Sequence, residues 1–220
     1  MKCIYCQHNH IYLLSDGLCK CSRCKRKFSP ARLKREKKLL ECFCQEMTAT
    51  KASALCNVHY ITARNYYLKI RHAIAAHADV IYNQNMHLVN EFDEYFYLPK
   101  NLRGDKDTVS KIENFLTLCF KEKIYTIMMP SPTRYANIMD KMLVGKFLRY
   151  HKVAKLQKSV NTITAFWDFF ETFISKFRGV SHNEFYYYLK EAEFLFNYTK
   201  NEQIKILNEL MGFHHGSDLS

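Results

Sequence analysis

Four cysteines near the start of the chain fall into two pairs, Cys3-x-x-Cys6 and Cys21-x-x-Cys24. Thiolates at this spacing can close a tetrahedral zinc site, and the stretch between the pairs is as long as a small β-hairpin requires. Two disulfides are the alternative. One tight knuckle followed by another is the ribbon pattern, and it favours structural zinc. Cys19, His8 and His10 are surplus to a four-ligand set, and Cys21 with Cys24 keeps better spacing than Cys19 does. The chain holds nine cysteines. It opens on a knuckle instead of a signal-peptide core, so the expected setting is a reducing cytoplasm where thiols stay free or bind metal.

Charge is distributed unevenly. Residues 1–77 carry 15 Lys/Arg against 4 Asp/Glu, a net of +11 within a chain total of +12. The remaining 143 residues are close to neutral. Such asymmetry beside a zinc ribbon points to a polyanion, most plausibly DNA or RNA. Few Gly and Pro with many aromatic residues mark a globular protein. No apolar run reaches 18 residues, so no membrane span is expected.

The elements that must position these groups follow from periodicity. Short strands are predicted near Ile11–Leu14 and Lys27–Phe28, then a helix from Arg32 to Glu46 with Leu39, Leu40, Phe43 and Met47 on one face. Thr48 can cap a short helix over Lys51–Leu55, Cys56-Asn57-Val58 forms a tight turn with Asn57 left-handed, and a second helix runs from about Ile61 to Ala76. Ala52, Leu55, Val58 and Ala63 would pack between these helices. This is a helix-turn-helix order, in which the second helix enters the major groove. The residues expected to meet DNA are Arg23, Lys25, Arg26 and Lys27 after the second knuckle, Lys51, and Thr62, Arg64, Asn65, Lys69 and Arg71 on the second helix. Arg and Asn suit bidentate base contacts, and Lys and Thr also serve phosphates.

Residues 79–90 read as a connector. NEFDEYFYL, KIENFLTLCF and KIYTIMMP read as three antiparallel strands, with Lys121-Glu122-Lys123 as a turn. Residues 134–158 read as helical and basic. Ile163, Phe166, Trp167, Phe170, Phe173, Ile174 and Phe177 make one broad apolar helix face, a helix from His182 to about Asn197 follows, and a last one ends near Met211.

This order resembles the small bacterial insertion-sequence transposases with a zinc ribbon, a helix-turn-helix and an RNase H-like catalytic domain. The residues that carry the resemblance are KCSRCKRKFS, the DEYF strand, and VNTITAFWDFFETFISKFRGVSHNEFYYYLKEAEFLFN, with its FW helix and its Leu-Lys-Glu motif ahead of an FN pair. The resemblance implies an α+β, multi-domain chain: zinc ribbon 1–29, helix-turn-helix 30–78, connector 79–90, a shortened RNase H-like domain over 91–211 and a tail over 212–220. It implies double-stranded DNA as partner, a homodimer or higher multimer, a bacterial cytoplasm with nucleoid association, and two magnesium ions that prepare the nucleophile and stabilise the leaving oxygen.

By the same resemblance Asp93 matches the first metal carboxylate, with Glu94 on the opposite strand face. Asn161 matches the amide of an Asn-x-x-Glu pair whose glutamate is Thr164 here. For the second carboxylate, Asp140 is the one acid between Pro130 and Trp167, and it sits in a helical pattern. The resemblance implies a fourth strand carrying this carboxylate ahead of the FW helix; none is read there, and an internal deletion accounts for that gap most simply. The reading expected is a transposase or transposase-derived DNA-binding protein that grips DNA with a zinc-closed front end and lacks a full catalytic set. An active transposase using magnesium, and a zinc-ribbon transcription regulator, are the alternatives.

Overall fold

The computed structural model describes residues 2–97, 113–129, 161–177 and 180–213, which form two units. The architecture is α+β, with two three-stranded antiparallel sheets and six α-helices among the described residues. One unit comprises residues 1–77, 176–178 and 198–220; the other comprises 78–175 and 179–197.

The first unit starts with β1 (Ile11–Leu13), β2 (Cys19–Cys21) and β3 (Lys27–Phe28) in that spatial order. Strands of two and three residues cannot hold a sheet by themselves. Their inner face buries Cys3, Cys19, Cys21 and Phe28, with Ile4, Ile11 and Leu33 packed around them. Helix α1 (Pro30–Cys44) then begins where the sequence allows it: the Ser29 hydroxyl accepts from the Arg32 N–H at 3.2 Å, and Pro30 sits in the first turn, where its missing N–H costs nothing. Leu39, Leu40 and Phe43 of α1 are buried. So are Ala52 and Cys56 of α2 (Ala49–Cys56) and Ala63, Tyr67, Ile70 and Ile74 of α3 (Tyr60–Asn85). Phe43 meets Tyr67 edge to face at 5.0 Å between ring centroids. The Lys38 ammonium donates to the Leu55 carbonyl at 2.8 Å, a cation on the carbonyl end of α2.

The second unit is a meander, β4 (Glu91–Tyr97), β5 (Glu113–Phe120) and β6 (Lys123–Met129), covered on one face by α4 (Thr162–Ile174) and α5 (His182–Asn197). The period-2 pattern places Asp93, Tyr95, Tyr97, Phe115, Thr117 and Thr126 on the same face. Tyr95 stacks on Trp167 at 3.8 Å, and the Trp167 indole N–H donates to the buried Thr117 hydroxyl at 3.0 Å. Phe166, Phe170 and Phe185 complete the core. The last helix, α6 (Lys200–Leu210), belongs to the first unit and is started by a Thr199–Glu202 capping box.

Several sequence expectations need correction. Residues 79–85 are not a connector but the last turns of α3, which runs unbroken to Asn85. Leu55 does not pack between the helices; it is 52 % exposed, and the buried residues of α2 are Ala52, Ser53 and Cys56, the last with its sulfur 3.8 Å from that of Cys42 on α1. A strand the periodicity did not reveal, β2, spans both surplus and ligand cysteines. Asp140 and the expected basic helix over 134–158 lie outside the described residues.

Helix α5 treats the edge strand β6 as a further strand would. The Thr126 N–H and hydroxyl donate to the Glu193 carboxylate, each at 2.9 Å. Lys190 donates to the Thr126 carbonyl at 2.8 Å, and the Asn197 amide both accepts from the Ile124 N–H at 2.7 Å and donates to the Ile124 carbonyl at 2.6 Å. Positions 190, 193 and 197 share one helix face, so three side chains satisfy backbone groups that an edge would leave open.

Candidate metal centre and basic helical surface

The two knuckles have the same local geometry. In each, the residue after the second cysteine is left-handed, Gln7 at φ 57° and Lys25 at φ 60°. Its N–H returns to the carbonyl of the first cysteine: Gln7 to Cys3 at 2.9 Å and Lys25 to Cys21 at 3.1 Å. This turn aims both sulfurs of a pair into one space, and the β1–β2–β3 sheet brings the pairs together. The Cys3 and Cys24 sulfurs are 3.6 Å apart, as are those of Cys6 and Cys21, and all four Sγ atoms lie within 4.8 Å of one another. A tetrahedron with metal–sulfur arms of about 2.3 Å has edges of roughly 3.8 Å, so the four fit one ion. Among the described residues this is the sole group of three or more Cys, His, Asp or Glu side chains with metal-holding geometry.

The electrostatics agree. Burial works against ionisation of Cys21, but the backbone N–H groups of Cys24 and Arg23 outweigh it and bring the thiol down to about 6. At Cys6 the His8 backbone N–H favours the thiolate, yet burial and the three neighbouring sulfurs carry it up to about 11. Four sulfurs this close cannot all ionise unless a cation sits among them, and a divalent ion such as zinc provides that charge. Cys19 is excluded from the cluster: it packs against the sheet core, and burial raises its thiol. His8 and His10 are outside the cluster as well.

The second candidate is the surface made by α2, its turn and α3. Thr48 caps α2 by accepting from the Lys51 N–H at 3.4 Å. Asn57 adopts φ 50° and ψ 53°, and the Val58 N–H reaches the Ser53 carbonyl at 3.0 Å, the six-to-one bond that closes a helix on a left-handed residue. His59 then starts α3, its Nδ1 accepting from the Ile61 N–H at 3.3 Å. With Ala63, Tyr67, Ile70 and Ile74 facing the core, Thr62, Asn65 and Lys69 emerge on the opposite side at i, i+3 and i+7. They share a groove with Arg32 and Arg35 of α1, two cations that sequence reasoning did not include, and with His59. The signal was present in the arginines' spacing on the exposed side of α1, which lies on a different helix from the one being read.

Most predicted nucleic-acid contacts are exposed: Arg23, Lys25, Arg26, Lys27, Lys51, Thr62, Arg64, Asn65 and Lys69. Arg26 lies over the Tyr5 ring at 5.1 Å. Arg71 is a correction. It is 4 % exposed, and its guanidinium lies about 6 Å from the rings of Phe43, Tyr67 and Phe177. Nine residues of helix separate it from Thr62, so it projects from the packed side of α3, where aromatic faces receive its charge.

Among the described residues Asp93 belongs to no group of three or more Cys, His, Asp or Glu side chains that could hold a metal ion. Asp93 sits on β4 opposite Thr117 and accepts from the Glu94 N–H at 3.0 Å; Glu94 points to the other face and accepts from the Asn114 amide at 2.8 Å. Asn161 is the N-cap of α4. Its amide oxygen accepts from the Thr164 N–H at 2.9 Å and from the Thr164 hydroxyl at 2.8 Å, and the same hydroxyl accepts from the Asn161 N–H. Thr164, standing where the resemblance implies glutamate, therefore completes a capping box. Glu171 accepts from the Tyr95 hydroxyl at 3.0 Å. Among the described residues no helix is long and apolar enough to cross a membrane. Set against known protein families, curated proteins and solved structures, the chain matches none of them.

Proposed function

We propose that the chain is a transposase-derived DNA-binding protein that grips duplex DNA with α3 while a zinc-closed first sheet holds a second basic surface in place. The observation that carries this reading is the split of α3 into a buried apolar side and an exposed side bearing Thr62, Asn65 and Lys69, behind the left-handed turn at Asn57. Asn65 has the donor–acceptor pair to read an adenine edge, and Lys69 and Arg35 supply charge for flanking phosphates, beside Arg32, which is paired with Glu36 of the same groove at 2.8 Å. The excess of +11 on residues 1–77 supplies the long-range attraction. The order of ribbon, helices, meander and aromatic helix supports a place among insertion-sequence transposases.

Strand cleavage is left out of the proposal. The amide oxygen of Asn161 is committed to capping, and a helix N-terminus repels a divalent cation.

Titration of the zinc-loaded full chain with labelled duplexes of random sequence, followed by selection of preferred sequences, tests the reading. Affinity should fall steeply with salt, Lys69→Ala should reduce the slope of log K against log salt by about 1, and Asn65→Ala should flatten sequence preference. Duplex affinity that ignores salt, or that is the same in both variants as in the parent, rejects it.

A further inference from the structure

The outer face of the first sheet carries a feature that duplex recognition by α3 does not use. In the ladder Tyr12 pairs with Lys20, and Lys20 pairs with Lys27. Directly paired residues point to the same face, so a tyrosine and two lysines form one row across three strands, neighbouring Cβ atoms about 5 Å apart. The other face is the buried one that carries Ile11, Cys19, Cys21 and Phe28. Tyr12 is 50 % exposed, and His10 meets its ring edge to face at 5.1 Å.

Two lysines directly opposite each other destabilise a sheet. Residues 1–29 hold six basic side chains and a single acid, Asp16, whose carboxylate is occupied by the Leu18 N–H at 3.0 Å in the β1–β2 turn. The row therefore concentrates positive charge beside an exposed aromatic ring. That combination suits a strand of nucleic acid whose bases are unpaired: one base stacks on the ring, and the phosphates on either side meet the lysines. A duplex keeps its bases stacked on each other and offers the ring nothing.

We propose that the Tyr12–Lys20–Lys27 row, with His10 beside it, is a binding site for single-stranded nucleic acid. This site is independent of the duplex surface on α3, and either can fail while the other stands.

The test uses the full zinc-loaded chain and three probes of equal length: a labelled oligothymidylate, an abasic phosphodiester of the same charge, and a closed hairpin duplex. Oligothymidylate should bind at least about 10-fold more tightly than the abasic strand, since base–aromatic stacking is worth roughly 5- to 100-fold per base. Tyr12→Ala should remove that advantage, Tyr12→Phe should keep it, and the hairpin duplex should bind Tyr12→Ala as it binds the parent. Lys20→Gln should lower the single-strand salt slope by about 0.7. Zinc content measured on each variant reports whether the sheet is still closed. Equal affinity for the abasic strand, unchanged oligothymidylate binding by Tyr12→Ala, or displacement by polyglutamate as effective as by oligothymidylate would each overturn the proposal.

Discussion

Two clusters of ionisable side chains among the described residues, one of four cysteines and one of lysine and glutamate, differ in what remains unsatisfied. In the cysteine cluster four sulfurs face one another with only a few backbone N–H groups aimed at them; burial and the neighbouring sulfurs carry Cys6 up, while backbone donors bring Cys21 down against its burial. In the α5–β6 clamp, Lys190 is fully buried, yet its ammonium bonds the Glu193 carboxylate at 2.9 Å and the Thr126 carbonyl at 2.8 Å, and it lies 3.6 Å from the centre of the Tyr125 ring. Glu193 in turn takes both donors of Thr126. The Tyr125 hydroxyl is held by Asp79 at 2.8 Å. The first cluster has like groups and calls for a cation from outside. The second is complete within the chain. Burial and charge alone do not mark a binding site; an open valence does.

The largest expected effect breaks the first cluster. Cys21→Ser should abolish stoichiometric zinc, measured by elemental analysis of the purified chain as about one ion per chain in the parent and none in the variant. A zinc site of this type contributes on the order of 10–16 kcal/mol of apparent binding free energy, and the three short strands have only a few buried side chains to fall back on. The amide protection of residues 2–29 should vanish, while that of the meander stays.

Next in size is the clamp. Lys190→Met leaves a buried carboxylate without its cation, and removing one partner of such a pair costs about 3–5 kcal/mol. The double variant Lys190→Met/Glu193→Gln keeps an acceptor for the Thr126 N–H without the charge and should recover most of that loss. Burial already raises the Glu193 carboxyl above its ordinary value, and loss of the ammonium raises it further. Between the ordinary carboxylate range and that raised value the unfolded chain holds fewer protons than the folded one, so stability falls as pH rises. Lys190→Met should therefore come closest to the parent in acid and fall furthest behind at neutral pH, whereas the double variant should show no such trend. Equal losses for single and double variants at every pH would mean that the pair is not coupled.

How much of this was legible in the sequence depends on whether the relevant interaction is local. The Cys-x-x-Cys spacing, Thr48 before a short helix, Asn57 at its end and the apolar face of α4 are contained within a few residues, and each was read correctly except for Phe177, which lies past the end of that helix. The clamp was not, although YLKEAEFLFN was singled out: Lys190 and Glu193 look like a solvated helix face until β6 is laid against them. Arg71 was misread for the same reason, since Phe43 and Phe177 come from distant parts of the chain. Asn161 stands between these cases. Its amide matches a metal-ligand pattern and, equally well, a capping box, and the two cannot be told apart until the direction of the Thr164 hydroxyl is known. Of the residues that the resemblance matches to magnesium chemistry, Asp140 lies outside the described residues.

Asn161 yields a smaller effect that sharpens the contrast between open and closed valences. As a cap, it should lose about 1 kcal/mol on Asn161→Ala and almost nothing on Asn161→Asp, because a carboxylate accepts from the Thr164 N–H at least as well and suits the positive end of a helix. Thermal unfolding with and without magnesium reads both possibilities at once. A ligand role would give the parent a magnesium-dependent rise in melting temperature that Asn161→Ala lacks; a capping role gives the same difference between variants at every magnesium concentration.

The smallest effect concerns how β6 comes to lie in register for the clamp. The β5–β6 turn has two loop residues, Lys121 at φ 48° and Glu122 at φ 62°, between the paired Phe120 and Lys123. Both central residues of this turn type need a left-handed backbone, which asparagine and glycine adopt far more readily than lysine and glutamate do. The chain thus tolerates a poor turn, and the clamp at Thr126 and Ile124 is the device that fixes the strand in its place. Lys121→Asn/Glu122→Gly should stabilise the parent by about 1 kcal/mol, seen as a rise of a few degrees in melting temperature. If turn and clamp act separately on register, the gain should add to the Lys190→Met loss within about 0.5 kcal/mol. A gain that grows in the Lys190→Met background would show that the turn takes over register once the clamp is broken, and that the closed cluster of the second unit does for β6 what a bound ion does for the first sheet.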